Sequence, residues 1–211
     1  MPVWERAFEE LLNHLRDSLK YLNPDDTLRF CNFILETKDN AGTLYLVAAG
    51  RSLDVLTIFG ARLMQPPISL VARPLALSPK PQIAKVDSAL ICTGTGETGS
   101  VLSMSKSWQK INKNVGLITS LAAKKYPSKI FNVVKKPKVS IFLPGITGTD
   151  IERRRNKPDQ IHSPLSDLFH DGIVFVPSPT KFELTSLLFL ESIITELYNT
   201  CKGVPFDRDM P

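Results

Sequence analysis

Cys92-Thr93-Gly94-Thr95-Gly96-Glu97-Thr98-Gly99-Ser100 stands between two segments of different periodicity. Before it, Ser88–Cys92 is a short apolar run that reads as a buried strand. After it, a helical pattern runs to about Ile111. A helix that starts here offers unpaired backbone N–H groups and the positive end of its dipole. Glycines let the backbone come close to an anion, and threonine hydroxyls add short hydrogen bonds. The turn is therefore a candidate phosphate cradle, and the plain alternative is an ordinary N-cap on a flexible turn. It lacks the lysine of a nucleotide P-loop. Gly94, Gly96 and Gly99 match the dinucleotide spacing, but the segment is third in the order of strands and no acidic residue follows at ribose-binding distance.

Working outward, Ala49-Gly50-Arg51-Ser52 is a second turn of the same kind. It joins an apolar strand at Thr43–Ala49 to a helical pattern ending near Met64. Ser52 either caps that helix or touches phosphate. Further strands are expected at Ile68–Ala72, Val115–Thr119, Ile130–Val134 and Val139–Leu143, with an extended piece at Ile173–Val176. Pro74–Pro81 is a Pro-rich connection, and 144–172 reads as a long surface loop. Two N-terminal helices fill 1–38, at Trp4–Leu22 and Thr27–Thr37, and a long helix covers Thr180–Cys201. Strands alternating with helices predict a mostly parallel sheet covered on both faces. Two Gly/hydroxyl turns at carboxyl ends of such strands converge on one crevice. We expect one domain over 1–201 and an irregular tail at 202–211.

Composition sets the class. Hydrophobic residues at 43% and charged residues at 22% fit a globular protein rather than a disordered one. The net charge of +5 gathers in Lys124-Lys125, Lys135-Lys136-Pro137-Lys138 and Arg153-Arg154-Arg155. No aromatics interleave these runs, so they read as solvated faces rather than a nucleic-acid platform. Cys31, Cys92 and Cys201 are odd in number and far apart, which argues against a disulfide framework or zinc site and for a reducing compartment. Met1–Arg6 has no secretory pattern, and no apolar run nears the ~20 residues that span a bilayer. The expected location is cytoplasmic, with no membrane partner.

These residues reach a known family. Gly50-Arg51-Ser52, Ala61-Arg62-Leu63-Met64, Thr93-Gly94-Thr95-Gly96-Glu97-Thr98, Ile118-Thr119-Ser120, and Phe182-Glu183-Leu184 leading into Leu188-Phe189-Leu190-Glu191 come in the order and spacing of the sugar isomerase (SIS) domain proteins. Within them the chain most resembles the 6-phospho-3-hexuloisomerases, over roughly residues 5 to 200. The resemblance implies a three-layer α-β-α sandwich with a five-stranded, flavodoxin-like sheet, assembled as a homodimer or homotetramer. It implies interconversion of a hexulose 6-phosphate and fructose 6-phosphate through an enediol, without metal or organic cofactor. By the same resemblance Ser52, Thr93, Thr95 and Thr98 bind the phosphate, and Glu183 is the general base. Gly50, Arg51, Gly94, Gly96, Glu97 and Gln65 are further substrate-site candidates.

Glu183 has a competing reading. Thr180-Lys181-Phe182-Glu183 after Pro179 spells a capping box, in which Glu183 bonds the backbone of Thr180. The chain also departs from the family pattern. Gln65 replaces a histidine and cannot exchange a proton at neutral pH, and Leu53 replaces a glycine beside the phosphate. A phosphosugar-binding or sensing protein without turnover is the alternative function. A third reading, an oligomer using Arg153–Arg155 on nucleic acid, is weaker. His14 reads as a polar-face residue of the first helix, and His162 and His170 as loop residues.

Overall fold

The computed structural model describes residues 2–75, 82–126, 128–156 and 178–203. The expected extended piece at 173–176, His162 and His170, and most of the Pro-rich connection and of the tail lie outside them.

Five parallel strands form one sheet in the order β2-β1-β3-β4-β5. They are β1 (Leu44–Val47), β2 (Ala72–Pro74), β3 (Ser88–Thr93), β4 (Val115–Ser120) and β5 (Val139–Leu143). This is the flavodoxin-like order, in which the chain first winds one way from β1 and then the other way from β3. The three-layer expectation holds. Alternate strand residues feed opposite faces, as a period of two requires. Leu44, Leu46, Leu90, Cys92 and Ile118 join one core with α2 (Pro24–Asp39), α3 (Arg51–Leu63) and α8 (Ser178–Cys201). Tyr45, Val47, Ala89, Ile91, Val115 and Leu117 join the other with α4 (Gly99–Gln109) and α6 (Lys129–Val133). The amphipathic α1 (Val3–Ser18) packs outside α8.

Three expectations are corrected. Ile130–Val134 is not a strand: Lys129–Val133 is the short helix α6. Its β-branched residues suit a strand, but the amide of Ile130 donates to the carbonyl of Gly96, and that bond seats the first turn against β3's exit loop. Part of the expected loop at 144–172 is helical, as α7 (Gly148–Asn156), whose start Asp150 secures by accepting from the amide and hydroxyl of Thr147. The strand expected at Ile68–Ala72 is shifted to Ala72–Pro74, because Ser69 takes φ +55° and breaks the extended run. A one-turn helix, α5 (Leu121–Lys125), follows β4 and is capped by Ser120, whose hydroxyl accepts from the amide of Ala123 at 3.0 Å.

Candidate phosphosugar site

The site begins with strand register. β1 and β3 are hydrogen-bonded neighbours, with Val47 opposite Ile91. Beyond that pair both chains leave the sheet, β1 through Gly50 into α3 and β3 through Thr93–Thr98 into α4. This is also where the winding direction reverses, so the two exit loops part and leave a crevice at the carboxyl ends of the strands. Both exits run straight into helices. α2 and α5 have side-chain caps, from Asn23 and Ser120. α3 and α4 begin at Gly50 and Thr98 with no side-chain cap, so their first-turn N–H groups keep their donor capacity. Gly50 sits at φ +56°, a conformation that glycine adopts without strain.

The Thr93–Thr98 loop is rigidly held. Thr93 Oγ1 accepts from the amide of Gly96 at 3.2 Å, and Thr95 Oγ1 accepts from the amide of Glu97 at 3.3 Å. Thr119 of β4 donates its hydroxyl to the carbonyl of Thr93 at 2.7 Å. Ser128 donates to the carbonyl of Thr95 at 3.0 Å. Gly96 has φ +68°, and a Cβ there would run into Ser128 Oγ and Ile130. Glycine is needed twice over at this position, for its backbone angle and for its missing side chain.

Glu97 turns inward. Its carboxylate is fully buried, and Oε1 accepts from the amide of Lys129 at 3.1 Å and from Nε of Arg155 at 2.9 Å. Oε2 lies 3.4 Å from Lys129 Nζ in an ion pair whose geometry makes no hydrogen bond. Glu97 therefore ties the cradle to α6 and α7. Ser128, Lys129, Thr119 and Arg155 were not among the sequence candidates. Glu97 itself was read only as a substrate-site candidate, and nothing near it in the sequence named these partners.

Glu183 comes from the first turns of α8. Its Oε2 is 2.8 Å from Nε of Arg51, and the same guanidinium donates from Nη1 to the hydroxyl of Thr180 at 3.1 Å. Thr180 lies inside α8 rather than at its cap, so the capping-box alternative is replaced by a contact across to α3. Burial raises the pKa of the Glu183 carboxyl above its ordinary value, the Arg51 charge opposes this, and Asp54 adds to it. Beneath it lies Cys92. Burial pushes this thiol up to about 12, the charge of Glu183 pushes the same way, and the hydroxyls of Ser186 and Ser52 act against both.

No protein-family model matches the chain. An uncharacterized protein of Archaeoglobus fulgidus is 22% identical over 192 residues, covering 91% of this chain and 88% of that one. A Methanococcus jannaschii protein, whose structure was taken to infer a function of 3-hexulose-6-phosphate isomerase, superposes with a TM-score of 0.60 at 20% identity, over 93% of this chain and 90% of that one. The Vibrio vulnificus NanR protein complexed with ManNAc-6P superposes with a TM-score of 0.61 at 13% identity, over 96% of this chain and 66% of that one. Other structures with this fold include the sugar isomerase domain of a Sphaerobacter thermophilus transcription factor and a phosphoheptose isomerase of Neisseria gonorrhoeae.

The chain has the sugar isomerase domain fold.

Within this sugar isomerase fold the expected site residues divide. Arg51 pairs with Glu183, Ser52 and Glu183 both border Cys92, and Gly94 packs against Ile146 and Phe182, while Thr93, Thr95, Gly96 and Thr98 belong to the held exit loop of β3 and Gly50 to that of β1. Glu97 is the buried anchor of the β3 loop. Gln65 is not brought in: it lies past the far end of α3, about 20 Å along the helix from Arg51 at 1.5 Å per residue. There it accepts from Arg62 at 3.4 Å. His14 is half-buried, with Nε2 3.1 Å from the Thr185 hydroxyl, and joins α1 to α8. It borders a cavity of about 330 Å³ lined also by Asp17, Tyr21, Gly145, Ile146 and Lys181. Lys181 and Glu183 project from nearly opposite sides of α8, and Ile146 of the cavity lining packs against Gly94 of the β3 exit loop. Among the described residues no helix is long and apolar enough to cross a membrane.

Proposed function

We propose that this chain binds a phosphorylated sugar in the β1/β3 crevice and interconverts a hexulose 6-phosphate with fructose 6-phosphate. The observation that carries the reading is Glu183, a largely buried carboxylate paired with Arg51, the first residue of a helix whose N-terminus has no side-chain cap. The phosphate would take the free amides of α3 and α4 and the hydroxyls of Ser52, Thr93, Thr95 and Thr98. Its charge is then met by two dipole ends and by Arg51. This fixes the sugar with its carbonyl carbons toward Glu183. The carboxylate removes the proton from the carbinol carbon beside the carbonyl, the electrons settle on the carbonyl oxygen as an enediolate, the hydroxyl proton passes from the neighbouring oxygen to that one, and the carboxyl returns its proton to the former carbonyl carbon. A carboxyl made more basic by burial suits that task. The ligand-bound Vibrio structure and the Methanococcus structure support the ligand class and the reaction.

The resemblance further implies a homo-oligomer. The exposed Trp4, Phe8, Leu12 and Leu19 of the N-terminal segment supply an apolar stripe suited to a second copy. A second reading, phosphosugar binding without turnover, is favoured by one observation: Gln65 stands far from the crevice and cannot exchange a proton. The test follows the carbonyl. Fructose 6-phosphate labelled with carbon-13 at its carbonyl carbon is incubated with the protein, and NMR reports whether the label becomes a carbinol. Conversion supports the isomerase. Binding seen as a melting shift without conversion supports the sensor, and no binding at all removes both.

A further inference from the structure

Resting on the phosphosugar reading, we propose that Arg51 is a positioning residue that holds Glu183 while the cradle is empty and releases it when phosphate arrives. Arg51 is the first residue of α3, so its backbone belongs to the phosphate cradle while its side chain belongs to the base. The guanidinium has five N–H donors. It contacts Glu183 and Thr180, and both contacts reach across to α8. The side chain is 52% exposed against 16% for Glu183, so Arg51 is free to change partner where Glu183 is not. Arg51 opens α3, whose N-terminus has no side-chain cap and would hold the phosphate, so its guanidinium starts within the proposed cradle. A phosphate accepts two parallel N–H bonds from a guanidinium and carries more charge than one carboxylate. It is therefore the stronger competitor for Arg51.

The consequence for Glu183 follows from what surrounds it. From α3 it faces Arg51 and Asp54, and from β3 the Cys92 thiol. Burial and Asp54 both favour the protonated carboxyl, and Arg51 alone opposes them. Taking Arg51 away leaves a more basic carboxylate. The unclamped base thus exists only with a phosphorylated ligand in place. A sugar without phosphate would meet a carboxylate still neutralised by its ion pair. This adds a discrimination that phosphate affinity alone does not supply.

The test uses the full chain with carbon-13 at glutamate carboxyls, the Glu183 signal being assigned by its loss in Glu183→Gln. Its titration is followed with and without saturating inorganic phosphate, in wild type, Arg51→Met and Arg51→Lys. In wild type, phosphate should weaken the acidity of Glu183 by roughly tenfold or more, one pKa unit. In Arg51→Met the carboxyl should start high and phosphate should move it much less. Arg51→Lys, which keeps charge but loses the planar fork, should fall between. Equal phosphate-induced shifts in wild type and Arg51→Met would mean simple charge repulsion and would overturn the switch. So would a wild-type signal that does not move while the amides of Thr93–Thr98 report bound phosphate. If those amides show no binding at all, the phosphosugar reading falls and the switch with it.

Discussion

Removing the Glu97 carboxylate should loosen the cradle without touching any residue that would contact the sugar. Glu97 Oε1 accepts two hydrogen bonds, one from the amide of Lys129 and one from Arg155 Nε, and Oε2 adds an ion pair with Lys129 Nζ. Hydrogen bonds to a charged group contribute about 1.5–3 kcal/mol each. The sum is reduced because Lys129 and Arg155 are partly exposed, so water replaces much of what they lose and screens the pairing. For Glu97→Ala we expect a loss of about 3 kcal/mol, which at roughly 2–4 °C per kcal/mol for a chain of this size is a fall in Tm of about 6–12 °C. Glu97→Gln keeps an acceptor for the Lys129 amide and should recover part of the loss. The assay is thermal unfolding by circular dichroism, paired with calorimetric titration of fructose 6-phosphate. The loop should also order less well, so affinity should fall in the same variants. An alanine variant that melts within a degree or two of wild type and binds as tightly would refute the anchoring role.

Other substitutions probe the remaining parts. Gly96→Ala meets both a left-handed backbone and the Ser128 hydroxyl, so it should cost about 2–4 kcal/mol in denaturant unfolding; a cost under half a kcal/mol would contradict the geometry. Thr95→Val removes one hydroxyl from the cradle and should weaken fructose 6-phosphate binding roughly threefold to tenfold, since one hydrogen bond contributes about 0.5–1.5 kcal/mol; binding unchanged in calorimetry would take Thr95 out of the site. Glu183→Gln should gain stability relative to wild type as pH rises. The folded-state pKa of Glu183 is raised, so its contribution is full in acid and is lost as pH climbs through that raised pKa, whereas glutamine does not ionise. A Tm difference between the two that stays flat from acid to alkaline pH would refute this. Phe8→Glu with Leu12→Glu should halve or more the molar mass found by light scattering if α1 carries the self-association surface; a wild type that is already monomeric would remove that proposal.

Much of the fold was legible because a buried parallel strand declares itself. Leu44–Val47, Ser88–Thr93 and Val115–Ser120 are apolar runs with every residue buried, and each ends in a Gly, Thr or Ser turn that opens a helix. The helix starts were legible for the same reason, since Gly50-Arg51-Ser52 and Thr93–Thr98 each lead directly into α3 and α4. What failed was set by distant contacts. Ile130–Val134 has the composition of a strand, yet Ser128 and Ile130 bond the loop more than thirty residues earlier and turn the segment into a helix. Glu97 looked like a ligand contact because its partners, Lys129 and Arg155, are invisible from the turn itself. The pairing of Arg51 with Glu183 joins residues 132 positions apart, and no spacing could announce it. Gln65 follows the matching stretch Ala61–Met64 and lies a helix length from Arg51, because α3 carries it away from the carboxyl end of β1.

In the proposed reaction Glu183 moves a carbon-bound proton of a sugar phosphate held by the Thr93–Thr98 cradle. Incubation with fructose 6-phosphate in deuterated water, with deuterium at the carbons beside the carbonyl followed by NMR, reports that transfer. Wild type should take up label and Glu183→Gln none above background, while both proteins still bind the sugar. Label that persists in Glu183→Gln, or no label with a wild type that binds, would contradict that role.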